Sequence, residues 1–239
     1  MPEASEIASC LEALTERYRA ITQNLANANT TAFKRVSSDF HRQLQAEVAG
    51  SSAGAEIEAI TRIDHTQGNL IQTGRSLDLA IKGKGFFVLE SPRGMFHTRN
   101  GTFVTDAEGQ LVDTSGRLVA GQNGPIVIPS SASLGDVKVT PGGEILVGGQ
   151  SIGTLKIVDF ENRSLLAPAG GSSFRAAETA NQTQAEDFEI HQGYLEASNV
   201  NIMEELVGLI MVSRLYEANF RSLKAQDDRM GHLLQVALA

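Results

Sequence analysis

The stretch EASEIASCLEALTERYRAITQNLANANTTA (residues 3–32) decides the architecture. Within it, Ala4, Ile7, Leu11, Leu14, Tyr18, Ile21, Leu25, Ala28 and Ala32 follow steps of three and four. Such spacing lines one face of a helix with apolar side chains for about four heptads, with Glu, Gln, Arg and Thr on the flanks. The opposite end of the chain repeats the pattern. Over residues 199–238, Ile202, Leu209, Val212, Tyr216, Leu223, Met230 and Leu233 share a seam that Glu205, Asn219 and Gln226 interrupt, and Leu206, Val207, Ile210 and Met211 widen it. Forty helical residues would run roughly 60 Å at 1.5 Å per residue. Ser198 or Asn199 reads as the N-cap, with Glu204 and Glu205 near the positive end of the helix dipole. Glu217 and Arg221 stand four apart in the favourable order. A stripe this wide on so long a helix asks for more than one neighbour.

The residues between these helices have period two instead of 3.6. Leu77, Leu79 and Ile81 alternate with Asp78, Ala80 and Lys82, and Phe86 to Leu89 forms a short apolar run bounded by Gly83, Gly85 and Pro92. Asn100-Gly101 between Phe96-x-Thr98 and Phe103-x-Thr105 predicts a hairpin. Glu108-Gly109, Ser115-Gly116 and Gly142-Gly143 punctuate further runs, and Leu155, Ile157 and Phe160 extend the pattern. Turns this closely spaced, with no long helix among them, predict an antiparallel meander or small barrel. Residues 168–187, rich in Ala, Gly, Ser, Thr and Gln, read as a returning loop. The fold class expected is therefore α+β: N- and C-terminal heptad helices paired as a coiled coil, with an antiparallel all-β domain inserted between them.

Composition excludes several classes of function. The 239 residues carry a net charge of −8, which argues against general nucleic-acid binding, since phosphate neutralisation needs surplus Lys and Arg. The lone Cys10 can form neither an intrachain disulfide nor a Cys-rich zinc site. Glu3, Glu6, Glu12 and Glu16 occupy the region where a secretory signal would need a basic patch and an apolar run. The greasiest stretch, Leu206 to Val212, is about a third of the roughly 20 residues that span a bilayer.

Three separated blocks of the sequence belong together. The first is Asn24-Leu25-Ala26-Asn27-Ala28-Asn29-Thr30-Thr31-Ala32-Phe33-Lys34-Arg35. The second runs from Thr66-Gln67-Gly68-Asn69-Leu70 through Asp78, Gly83, Gly85, Phe86 and Phe87 to Thr98-Arg99-Asn100-Gly101-Thr102-Phe103. The third comprises Gly193-Tyr194-Leu195-Glu196-Ala197-Ser198-Asn199-Val200-Asn201 and Arg214-Leu215-Tyr216-Glu217-Ala218-Asn219. In this order they resemble the signatures of the bacterial flagellar basal-body rod protein family, which is related to the hook protein. Two positions depart from the family pattern: Ala32 stands where Gly is usual, and Ser9-Cys10 where a Ser-Gly pair is.

The resemblance implies a structural subunit of the rod. Such a subunit polymerises helically into the drive shaft that transmits torque to the hook and encloses the export channel, its terminal helices inside and its β lobe outside. Residues 1–34 and 198–239 would form the axial coiled coil, 35–66 and 185–197 a connecting segment, and 67–184 the outer β domain. The expected partners are copies of the chain, other rod and hook subunits and the flagellar export machinery, with neither nucleic acid nor membrane insertion. The expected location is the basal body, reached without a cleaved signal peptide. The expected subunit interface is Ile7, Leu11, Leu14, Tyr18, Ile21 and Leu25 with Ile202, Leu206, Leu209, Ile210, Val212, Tyr216, Leu223, Met230 and Leu233. In the free monomer the terminal helices should be weakly ordered, gaining order on assembly.

No catalytic, cofactor or metal site is expected. His41, His65, His97, His191 and His232 show no metal-ligand spacing, and Gly83-Lys84-Gly85 lacks the phosphate-loop pattern and reads as a strand-end kink. Glu204-Glu205 and Asp227-Asp228 diverge around a helix. Asn27 and Asn29 suit a left-handed helix C-cap and the turn after it, and Lys34-Arg35 reads as a solvated helix end. The alternatives are a hook or hook-associated axial protein, an adhesin-like stalk, or a glycan-cleaving enzyme. The enzyme would need two carboxylates across a cleft, and Asp106, Glu108, Asp113, Asp136 and Glu144 sit mostly beside turn glycines.

Overall fold

The computed structural model describes residues 2–44, 55–130 and 132–237, and of these only the backbone at 2–7, 39–44, 55–60, 134, 226, 227 and 229–237. The chain divides into two compact units. Residues 1–27, 35–64 and 200–239 form a helical unit, and residues 28–34 and 65–199 form a β unit.

In the helical unit, α1 (Pro2–Ala26) and α2 (Ile202–Ala237) are joined by an antiparallel pair, β1 (Val36–Leu44) and β2 (Ala55–Ile63). The pair keeps register from Val36 opposite Ile63 to Leu44 opposite Ala55. Helix α1 touches both strands and α2. It therefore buries two stripes rather than one. Leu14 and Ile21 meet Val212, with Cys10, Leu25 and Leu209 at the margin. Ala13, Ala20 and Asn24 are buried on a second stripe. Asn24 fixes that stripe against β1: its Nδ2 donates to the Val36 carbonyl and its Oδ1 accepts from the Val36 N–H, both at 2.8 Å.

This overturns the coiled coil. A coiled coil requires the a and d side chains of both helices to be enclosed along a common seam. Here Tyr18, an expected seam residue of α1, is 47% exposed, and on α2 only Glu205 and Val212 are buried among the described side chains. The physical reason is that α1 divides its apolar surface between α2 and the hairpin, while the α2 seam carries Glu205, held by an ion pair, in place of an apolar side chain. What remains is a helix at each end with an antiparallel β region between them.

Helix α1 also stops earlier than its apolar period suggests, at Ala26, and residues 27–32 form turns. Neither Asn27 nor Asn29 is left-handed. Ala32 takes that conformation, with φ +55°, and is fully buried. At the start of α2 the cap is Asn201 rather than Ser198 or Asn199. Its Oδ1 accepts the Met203 N–H at 3.1 Å and its Nδ2 donates to Glu204 at 2.9 Å.

The β unit contains β3 (Leu70–Gln72), β4 (Leu79–Gly83), β5 (Phe86–Ser91), β6 (Gly94–Thr98), β7 (Phe103–Thr105), β8 (Leu111–Asp113) and β9 (Leu118–Gly121), followed by short strands to residue 196. Among the described residues its largest sheet has ten strands: seven run in order from Leu166–Pro168 through Ser173–Ala176, β6, β5, β9 and β8 to β7, and Gly124–Pro125, Ile157–Phe160 and Gln182–Gln184 pair off that path. The strand Phe188–Gln192 pairs with β4, and Tyr194–Glu196 with β3. Leu79, Ile81, Phe87, Leu89, Phe103, Leu111 and Ile126 are at most 1% exposed, and Phe87 and Phe103 pack edge to face at 5.1 Å. Each such side chain is worth about 1.5–3 kcal/mol when fully buried.

Two local expectations are corrected here. Asn100-Gly101 does not close a β6–β7 hairpin: β6 pairs with β5, and β7 with β8. Instead Asn100 Oδ1 accepts the Thr102 N–H at 3.1 Å, and Gly101 presses on Leu79, whose N–H donates to the Gly101 carbonyl at 3.0 Å. A Cβ at 101 would collide with the Leu79 carbonyl, so tertiary contact rather than hairpin geometry requires glycine there. The stretch 168–187 holds two strands: Ser173–Ala176, which lies inside the sheet between Leu166–Pro168 and β6, and Gln182–Gln184, which pairs only with Ile157–Phe160 and whose exposed edge position fits its polar composition. The kink at Gly83-Lys84-Gly85 ends β4, with both glycines at positive φ.

Candidate assembly interface

Two features stand out as candidates, one in each unit. In the helical unit, α2 leaves a double row of apolar side chains in solvent. Met203, Val207, Met211 and Leu215 are 71, 52, 58 and 48% exposed, and Ile202, Leu206 and Ile210 are 44, 42 and 55% exposed. Each set steps by four, which makes two adjacent ridges of the kind that pack into grooves of a neighbouring helix. Tyr216 and Phe220 extend the surface at 44 and 56%. Beside it a groove of about 320 Å³ is lined by Leu14, Tyr18, Val212 and Tyr216.

Of the residues expected at a subunit interface, Leu14, Ile21 and Val212 are buried within the unit, and Leu11, Leu25, Leu209 and Leu223 are half-buried. Tyr18, Ile202, Leu206, Ile210 and Tyr216 are exposed. The side chains of Ile7, Met230 and Leu233 lie outside the described residues. Tracing heptads missed Met203, Leu215 and Phe220; the signal that finds Met203 and Leu215 is the i, i+4 row.

In the β unit the second feature is a buried charge cluster built from all three sequence blocks of the rod signature. Glu196 is fully buried. Its Oε1 accepts from Lys34 Nζ at 2.5 Å and from the Gly68 N–H at 3.0 Å, and Arg99 Nη1 approaches Oε2 at 3.5 Å. Lys34 also donates to the Thr66 carbonyl at 2.6 Å, and Arg99 Nη2 to the Gly83 carbonyl at 2.8 Å. Asn199 Nδ2 reaches the Thr66 carbonyl at 3.1 Å. Gly68 is glycine because a Cβ would strike the Ala197 carbonyl. Burial pulls the Arg99 pKa below its ordinary value, opposed by the Glu196 charge. Lys34 is thus buried and paired rather than solvated, a role invisible in a Lys-Arg dipeptide.

The neighbouring Arg35 serves the helical unit. Its Nε donates to Glu205 at 2.5 Å, and that hydrogen bond raises its pKa despite partial burial. Glu205, read from sequence as an interruption of the seam, is 2% exposed and is the acceptor.

The remaining signature residues are structural too. Asp78 accepts from Thr73 and Arg75, both at 2.7 Å. Phe86 stacks beneath Arg99 at 5.3 Å, and Phe87 belongs to the core. Glu217 meets Arg221 at 3.6 Å, and Asn219 donates to the Leu215 carbonyl at 2.9 Å. Asn27 donates to Gln23 at 2.9 Å. Ala26 is exposed, whereas Phe33, Leu195, Ser198 and Val200 are half-buried.

Two of the carboxylates weighed for glycan cleavage, Asp106 and Asp113, are engaged in turns. Asp106 accepts the N–H groups of Glu108 and Gln110, and Asp113 those of Ser115 and Arg117. Among the described residues no three His, Cys, Asp or Glu side chains converge on a metal position, and no helix is long and apolar enough to cross a membrane.

One unit locked by buried charge and another whose long helix leaves an apolar face unfilled define a structural protein with surface left for neighbours. The family description "Flagellar basal body rod FlgEFG protein C-terminal" matches residues 191–236, and "Flagellar hook protein FlgE/F/G D1 domain" matches residues 80–147. The chain is 32% identical to flagellar basal-body rod protein FlgG of Buchnera aphidicola subsp. Acyrthosiphon pisum, covering 95% of this chain and 96% of the relative. It is 33% identical to FlgG of Agrobacterium fabrum, over 92 and 94%. To flagellar basal-body rod protein FlgF of Caulobacter vibrioides it is 35% identical, over 83 and 82%. The chain belongs to the flagellar basal-body rod protein family, a family of structural proteins of flagellar motility.

Proposed function

We propose that this chain is a rod subunit that polymerises helically, with copies of itself and with other rod and hook subunits, into the drive shaft. The shaft carries torque to the hook and encloses the export channel, and the subunit reaches it through the flagellar export machinery. The observation that carries the assembly step is the exposed ridge Met203, Val207, Met211 and Leu215. An apolar row of this length in water is unfavourable, at about 25 cal/mol per Å², and burial between helices of adjoining subunits removes the cost. Rigid ridge-into-groove contacts repeated around a tube give torsional stiffness without any moving chemistry. Family membership supports the same reading.

The experiment is complementation of a strain lacking the gene, followed by quantification of the subunit in isolated basal bodies. The wild-type chain is expected there. A Val207→Asp/Met211→Asp variant is expected to melt like wild type yet be absent from basal bodies and leave cells non-motile. Normal incorporation of that variant would remove α2 from the interface.

A further inference from the structure

We propose that the β unit carries a head-to-tail docking pair: an arginine pocket at one end of β5 takes the Glu186 and Asp187 carboxylates of a second copy. The inference rests on the rod-subunit reading and adds a specific, polar contact to it.

At the Ser91 end of β5, the hairpin to β6 exposes Arg93, and a pocket of about 420 Å³ opens between that hairpin, Arg117 and the 169–171 turn. Phe96 organises it. Arg117 and Arg175 place their guanidinium carbons 5.1 and 4.9 Å from the ring centroid, a stacking that holds both cations in place. Arg175 Nη2 further donates to the Arg93 carbonyl at 3.1 Å. Arg117 is committed to Asp113 at 2.6 Å. Among the described residues, Arg93 and Arg175 meet no carboxylate. Arg93 lines the concave site and Arg175 is exposed next to it, so donors suited to planar oxyanions face solvent there.

The complement sits at the other end of the same strand. Lys84 N–H donates to the Asp187 carbonyl at 2.9 Å, just before β5 begins at Phe86. Ala185 is buried there, leaving Glu186 and Asp187 exposed with no cation bonded to either among the described residues. The cations of this end are Lys82, which already approaches Glu189 at 3.5 Å, Lys84, and Lys156, which precedes Ile157 across the ladder from Ala185; among the described residues neither Lys84 nor Lys156 forms an ion pair with Glu186 or Asp187. Six strand residues at about 3.3 Å each put the two ends roughly 20 Å apart. Opposite charge on opposite ends cannot be satisfied within one copy. A contact of this kind is heterologous and propagates as an open helix instead of closing as a dimer. Exposed ion pairs are individually weak, so this contact sets axial register while apolar packing supplies most of the affinity.

Charge reversal in the full-length chain, read as subunit recovered in basal bodies of the complemented deletion strain, tests this. Arg93→Glu/Arg175→Glu and Glu186→Arg/Asp187→Arg are each expected to lower recovery about tenfold or more, and the four substitutions combined to restore it to within about twofold. Either reversed pair recovered at the wild-type level overturns the proposal, as does failure of the combination while its melting temperature is unchanged. If loss of the Phe96 stack lowers the melting temperature, Arg93→Glu alone, which leaves Arg117 and Arg175 on the ring, carries the same reading. Absence of the wild-type chain from basal bodies would instead refute the rod-subunit reading itself.

Discussion

In the β unit, Phe86, Phe87 and Phe103 are at most 1% exposed, whereas in the helical unit Met203 and Phe220 are 71 and 56% exposed. The two units were drawn from one composition, and they differ in where their apolar surface finds a partner. The β unit encloses its largest apolar side chains and closes its mouth with ions, so its core is specified within the chain. The helical unit has a small core of Leu14, Ile21 and Val212 and a long helix whose apolar rows have no cover from it. One apolar surface is closed within the chain; the other is left open to solvent.

The largest effect that could break this contrast lies at Glu196. Glu196→Ala leaves Lys34 and Arg99 buried without their carboxylate and should cost about 3–5 kcal/mol in urea unfolding of the β unit. A wild-type melting curve for that variant would mean that the β unit does not depend on its ionic mouth.

Next in size is the left-handed residue at the start of the β unit. Ala32→Val puts a branched side chain at φ +55° in a site with no free space, an expected loss of about 2 kcal/mol. Ala32→Gly should stay within about 1 kcal/mol of wild type, because relief of strain is offset by entropy and a lost methyl contact. This accounts for glycine as the usual family residue and for the tolerance of alanine here.

A smaller effect should separate the units by pH. Burial lowers the His97 pKa in the folded β unit, so below about pH 6.5 the unfolded chain takes up a proton that the folded chain refuses. Stability present above that pH is lost as pH falls, by at most about 1.4 kcal/mol per unit, until the depressed folded value is reached. Measured against His97→Phe, wild type should show this extra slope on acidification below about pH 6.5, and the protection of α2 amides should not follow it. Smallest of all, Met211→Asp should shift monomer stability by no more than about 0.5 kcal/mol. A larger loss in equilibrium unfolding would mean that the α2 ridge is already packed within a single chain.

How much of this was legible beforehand varied with the range of the interaction. Both terminal helices, the short strands and the glycine kink after β4 followed from local period and turn chemistry. Helix pairing did not, because apolar spacing says which side of α1 is greasy and not that a hairpin from residues 36–63 takes part of it. Asn100-Gly101 misled because its glycine answers to Leu79 rather than to a turn. The buried ions were hardest: Lys34, Arg99 and Glu196 are polar letters separated by up to 162 positions, and nothing local distinguishes a buried Lys from a solvated one. Read as letters of a family signature they stood out, but their common destination needed coordinates.

The incoming and outgoing segments of the β unit are bonded directly to one another: Ala32 N–H donates to the Glu196 carbonyl at 2.8 Å, and Lys34 clasps the Glu196 side chain. A pull arriving through residue 34 and leaving through residue 199 therefore crosses only this clasp, by the shortest mechanical route, and bypasses the sheet. The strands beyond it are spared that pull and answer instead to the contacts of their own surface.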